Sequence, residues 1–201
     1  MILLLDHEDS FTHNLAGAFA MLGEEVRILA AGEATPDQVR QFDPAAIVLS
    51  SGAGTPADWP QSLEIVRTFG KEVPTLGVSL GQLIIGEVYG ADARRQTRSI
   101  RHGKSVAVRH ERGGLFAYIP QPFRAMCCHS AVLGRDSLPL ELCADAFSVE
   151  DGAVMAMRHT AHPVYGLQFH PESVGTERGD RLLAAFLEEA REFRGRQVPN
   201  G

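Results

Sequence analysis

The segment Gly77-Val78-Ser79-Leu80-Gly81 sets a hydroxyl between two glycines, in the pattern G-x-S-x-G. Such a serine rides a sharp turn from strand to helix, and the small flanking residues let the backbone fold back on itself. The N–H of Leu80, at the start of the helix, then faces the place where an oxyanion would form. A nucleophilic serine needs a base. Among eight histidines, His170 stands at the end of the apolar run before Pro171 in Gln168-Phe169-His170-Pro171-Glu172-Ser173. Proline breaks a strand, so His170 belongs at the same kind of rim as Ser79. Glu172 is in reach of the far ring nitrogen and would hold the tautomer. The plainer alternatives are glycines that only permit close packing, and a solvated strand-end histidine beside an exposed carboxylate. The two motifs together favour chemistry. Their order, Ser…His…acid, is not that of an α/β-hydrolase, where the acid precedes the histidine, and this demotes an esterase.

These side chains need elements to hold them. Residues 2–5 form a short apolar run, expected as a strand covered on both faces. Asp9-Ser10 offers N-cap chemistry for a helix over about 11–22, which Gly23 closes. Strands are predicted at 26–29, 46–49 and 75–78, and helices over about 60–70 and 80–89. The stretch Ser51 to Pro56 reads as a loop. Alternation of this kind implies a parallel sheet, whose ligands bind beyond the carboxyl ends of the strands. The loops after Leu5, Ser50 and Val78 should therefore share one rim. The second half carries runs at 103–109, 123–128, 153–158 and 164–169, read as strands that are partly antiparallel. A last helix capped by Asp180 repeats Leu182, Leu183, Phe186, Leu187, Ala190 and Phe193 on one face. The expected fold is flavodoxin-like α/β: a mostly parallel sheet with helices on both faces, plus an antiparallel section. One domain is expected over 1–194, with a flexible tail at 195–201.

With 19 Lys+Arg against 25 Asp+Glu the net charge is −6, and no basic face for nucleic acid is expected. Apolar residues make up 44%, ordinary for a globular domain. The opening apolar run stops at Asp6, too short for a secretory or membrane segment. The three cysteines, Cys127, Cys128 and Cys143, read as reduced thiols of a cytoplasmic protein. Neither metal nor cofactor is expected: His159 and His162 lack companion ligands at metal spacing, and Asp6, Glu8 and Asp9 read as helix-capping residues. Arg94, Arg95, Arg98 and Arg101 read as a solvated basic run, or as a contact with an acidic partner face.

The motifs taken together resemble the class I, triad-type glutamine amidotransferases, specifically the small subunits of anthranilate and aminodeoxychorismate synthases. Residues 5–15, L-D-H-E-D-S-F-T-H-N-L, are similar to that family's D-N-Y-D-S-F-T-Y-N-L. Residues 49–56 resemble its L-S-P-G-P-G-x-P loop, and residues 77–86 its G-V-C-L-G-H-Q-x-I-G. Cys128-His129-Ser130 resembles Y-H-S, and Gly166 to Ser173 matches G-x-Q-F-H-P-E-S. The resemblance implies a nucleophile at Ser79, with His170 protonating the leaving ammonia and Glu172 orienting His170. It implies oxyanion donors at Gly52, Gly54 and Leu80, and a glutamine site at Leu83, Ser130 and Ala131. The partner it implies, which receives the ammonia, is a chorismate-binding synthase subunit.

The departures from the family gather at the site. Serine stands where the family has its nucleophilic cysteine, and a hydroxyl needs far stronger base help than a thiol. The family's His-Gln after the elbow is Gln82-Leu83, and its two loop prolines are Ser51 and Ala53, which is expected to slacken the loop. An engineered Cys-to-Ser exchange accounts for Ser79 alone, whereas a natural degenerate paralogue accounts for Ser79, Leu83, Ser51 and Ala53 together and is favoured. Glutaminase activity is therefore expected to be impaired. The alternatives are a non-catalytic glutamine-binding or regulatory subunit of an ammonia-using synthase, and a serine hydrolase.

Overall fold

A computed structural model describes residues 1–95 and 101–197. Among the described residues, eleven strands are arranged among five α-helices: β1 (Ile2–His7), α1 (Thr12–Met21), β2 (Val26–Ala30), α2 (Pro36–Phe42), β3 (Ala46–Gly52), α3 (Pro60–Phe69), β4 (Thr75–Val78), α4 (Leu80–Val88), β5 (Ala93–Arg95), β6 (Arg101–His110), β7 (Phe123–His129), β8 (Ala131–Leu133), β9 (Leu142–Ser148), β10 (Val154–His159), β11 (Val164–Leu167) and α5 (Gly179–Gln197). Nine strands make one mixed sheet in the order β2-β1-β3-β4-β11-β10-β9-β6-β7. From β2 to β11 the neighbours run parallel, and from β10 onward the pairing is antiparallel. β5 and β8 form a separate two-stranded ribbon.

The apolar run at the start of the chain behaves as a central strand should. Side chains alternate across a pleat. Ile2 and Leu4 enter a core with Leu15, Phe19, Leu182 and Phe186 from α1 and α5, while Leu3 and Leu5 enter a second core with Val39, Leu63 and Ile84 from α2, α3 and α4. The sheet is thus sandwiched between helices. None of the described helices is long and apolar enough to cross a membrane.

The observed elements depart from the sequence reading in several places. The α1 N-cap is Phe11, because the Asp9 carboxylate accepts from the Phe11 N–H (3.1 Å) in a turn that precedes the helix. Asp6 accepts from the Thr12 hydroxyl at 2.6 Å, so these acids do tether the helix start. Gly23 follows α1 with φ +86° and donates to Ala20 O. α2 has no counterpart in the sequence reading, although Thr35 and Gln38 form a capping box with Pro36 at the first turn. The same holds for β5, β8 and β9. β11 ends at Leu167, although the N–H of Gln168 still donates to Met155 O of β10, its partner in the same register. Asp180 lies in the first turn of α5, one residue inside its start, and the helix carries the chain past Gly195 to Gln197.

Candidate active site

β4 and β11 end side by side, with Leu167 opposite Val78, and the Ser79 N–H donates to Leu167 O at 2.7 Å. Ser79 itself has φ 53° and ψ −103°, a conformation that costs a non-glycine residue about 1–3 kcal/mol. The flanking glycines explain how the turn closes. A Cβ on Gly77 would lie 2.3 Å from the carbonyl of Gly81, and one on Gly81 would lie 2.5 Å from Leu49 O. Close packing and the strained serine are therefore one arrangement, and α4 begins at Leu80 with its first N–H groups free of intrahelical partners.

The loop after β3 lies against this turn. A Cβ on Gly52 would meet His7 Cβ at 2.5 Å and Leu80 Cδ2 at 2.9 Å, so only glycine allows the approach. Where slack is expected from the sequence, the loop is tethered. The Ser50 hydroxyl donates to Ser51 O (2.7 Å), Trp59 Nε1 donates to Ala53 O (3.2 Å), and Asp58 accepts from the N–H and hydroxyl of Thr55. Beneath it lies His7, fully buried, a residue for which the sequence alone suggests no role. Ser50 spends its one proton on Ser51 O, so His7 Nδ1 must donate to Ser50 Oγ (3.2 Å) and Nε2 must accept from Ser62 Oγ (2.9 Å). Burial lowers the His7 pKa to about 4, which keeps the ring neutral in this two-serine bridge.

His170 and Glu172 come together. His170 Nδ1 lies 2.8 Å from Glu172 Oε1, and both side chains are buried. A carboxylate only accepts, so Nδ1 carries a proton, and in the neutral ring Nε2 keeps its lone pair. That Nε2 is buried and, among the described residues, has no hydrogen-bond partner, so no hydrogen bond joins it to Ser79. The turn is pinned from three sides. His170 N donates to Met126 O, the Thr176 hydroxyl donates to His170 O (2.6 Å), and the Phe11 ring lies 5.2 Å from the imidazole. A Cβ on Gly179 would fall 1.8 Å from Pro171 O, so the start of α5 presses directly on this turn.

One cavity of about 240 Å³ gathers Gly52, Gly54, Ser79, Leu80, Leu83, Ser130 and Ala131. Every residue assigned to the oxyanion or the glutamine site thus lines the same space as Ser79, whereas His170 and Glu172 are not among its lining residues. Ala53, His102, Cys128 and His129 complete the lining. His129 has both ring nitrogens buried and, among the described residues, without partners; burial, with Arg101 nearby, lowers its pKa to about 4. Gln82 points away from the cavity, donating to Gln168 Oε1 (3.1 Å) under Gly166, where a Cβ would strike its Cγ at 2.8 Å.

The remaining sequence candidates resolve into structure. Arg101 is no surface residue: it is 4% exposed and donates to Ser148, Glu150 and Asp151. Arg94 and Arg95 lie on β5, and Arg98 lies outside the described residues. His159 Nδ1 accepts from the N–H groups of Ala161 and His162, closing a turn.

Comparison with known proteins now adds to this geometry. The family model of the class-I glutamine amidotransferases matches residues 3–190. Anthranilate synthase component 2 of Pseudomonas aeruginosa is 39% identical over 199 residues, covering 97% of this chain and 98% of the relative. Aminodeoxychorismate synthase component 2 of Serratia marcescens is 39% identical, covering 93% and 99%. The solved structure of a candidate GMP synthase protein from Thermoplasma acidophilum superposes with a TM-score of 0.85, covering 98% of this chain and 96% of that one, at 23% identity, and so supports the fold alone. The match over nearly the whole chain and the 39% identity together show that the chain belongs to the class I glutamine amidotransferase family.

Proposed function

We propose that this chain is the glutamine-handling subunit of a chorismate-using synthase of the anthranilate or aminodeoxychorismate type, with glutaminase activity weakened by serine at position 79. The observation that carries this reading is the single cavity shared by Ser79, Gly52, Gly54 and the Ser130–Ala131 segment. In this mechanism glutamine enters with its side-chain amide at Ser79 and its amino-acid end along the Ser130–Ala131 backbone. The Ser79 oxygen attacks the amide carbon, and its proton passes to His170 Nε2. The carbonyl oxygen becomes an oxyanion facing backbone N–H groups of Leu80 and the Gly52–Gly54 loop. His170 returns the proton to the amide nitrogen, the C–N bond breaks, and ammonia leaves for the partner. Water then cleaves the acyl ester with His170 as base. Glu172 holds the imidazole with its proton on Nδ1 throughout.

A hydroxyl gives up its proton far less readily than a thiol, and His170 Nε2 makes no hydrogen bond to it. That observation also favours a second reading, in which the chain binds glutamine without turning it over. The deciding experiment is ammonia release by Ser79→Cys, with the parent chain as baseline and the partner synthase present. A gain of about 10²-fold or more supports an amidotransferase site lacking only its thiol. Silence in both proteins, with glutamine bound, supports the binding role. Parent turnover equal to that of Ser79→Cys would overturn the claim of impairment.

A further inference from the structure

A second nucleophile, Cys128, lines the same cavity. β6 and β7 pair in a register that sets His102 across from Cys128. The register then shifts by one at Gly103, whose φ of +64° makes a bulge that only glycine adopts easily. The result brings His102 Nδ1 within 3.3 Å of Cys128 Sγ. Both side chains are exposed, and both line the space that contains Ser79. Among the described residues no carboxylate lines that space. The other thiols lack this setting. Cys127 is fully buried and burial pushes its thiol up to about 12, while Cys143 is half-buried and directed to the carbonyl of Ala144.

We propose that Cys128, with His102 as its base, is a thiol-modification site that reacts with small-molecule disulfides at the mouth of the cavity. In the step, the Cys128 proton passes to His102 Nδ1 and the sulfur attacks one sulfur of the disulfide. A new S–S bond forms, the old one breaks, and the departing sulfur takes the proton from His102 and leaves as a thiol. The protein gains a mixed disulfide and one equivalent of small thiol is released, so no further oxidant is required. The attached group lies in the space beside Ser79. Resting on the proposed function, it excludes glutamine reversibly, until a reductant restores the thiol.

The test treats the full chain with oxidised glutathione and follows each cysteine by peptide mass spectrometry. Cys128 is expected to react at least about tenfold faster than Cys143, with Cys127 untouched in the folded chain. His102→Gln, a change at an exposed position, is expected to slow Cys128 about tenfold and leave Cys143 unchanged. Equal rates at Cys128 and Cys143, or a Cys128 rate indifferent to His102→Gln, overturn the proposal. Saturating glutamine is expected to slow the adduct at least about fivefold; bound glutamine without that protection overturns the blocking of the cavity. If calorimetry detects no glutamine binding, the proposed function fails, while the rates at Cys128 and Cys143 still decide the modification site.

Discussion

His7 makes the stability of this protein depend on pH in a way that can be worked out beforehand. Its pKa falls from 6.5 to about 4 because the ring is buried. In the unfolded chain it takes a proton as pH drops through 6.5, while in the folded chain it stays neutral until about 4. The unfolded state thus binds more protons across that window, and stability falls as pH falls. The contribution is whole above 6.5 and fully lost below about 4, a span worth about 3 kcal/mol. Between pH 7 and pH 5 the loss is about 2 kcal/mol. His129 is lowered to the same extent and adds a similar amount, so the parent should lose about 4 kcal/mol from the pair over that interval. His7→Asn should remove about half of this dependence, and should cost about 1–3 kcal/mol at pH 7 by stranding Ser62 and Ser50. Urea unfolding of both proteins at pH 7 and pH 5 measures it. Equal losses in parent and variant would refute the assignment of a neutral buried ring to the bridge under the Gly52 loop.

Three further predictions follow from the same geometry. Gly179→Ala sets a methyl group 1.8 Å from Pro171 O, so the His170 turn must shift; thermal unfolding should drop by several degrees, and the Ser79→Cys enzyme carrying it should lose activity in kcat. Glu172→Gln in the Ser79→Cys background removes the carboxylate that fixes the His170 tautomer, and kcat should fall by about 10²–10⁴-fold with the fold intact by circular dichroism. Phe186→Ala opens the core between α1 and α5 and should cost about 3–5 kcal/mol in urea unfolding, without changing glutamine binding.

The turn at Ser79 and the pairing of His170 with Glu172 were legible in the chain because their signals are local. Gly77-x-Ser79-x-Gly81 and His170-Pro171-Glu172 each lie within five residues, and the strand–helix alternation of the first half follows from apolar runs bounded by glycine and loop residues. Even here a short element was lost: α2 has seven residues, too few for a strong periodic signal, though its capping box was visible. β9 escaped because Asp145 interrupts its apolar pattern and its pairing with β10 carries two register shifts.

What the sequence determined by itself was which residues are candidates for the chemistry and on which kind of turn they ride. What only the tertiary structure decided was which distant polar groups meet. Arg101 reads as one of a run of surface cations, yet the register of β6 buries it against Ser148, Glu150 and Asp151. His7 finds Ser50 and Ser62 across 43 and 55 residues, and His102 finds Cys128 across 26. Such pairings follow from strand order and a single bulge, which are global consequences of packing two cores on one sheet and leave no periodic trace in the chain.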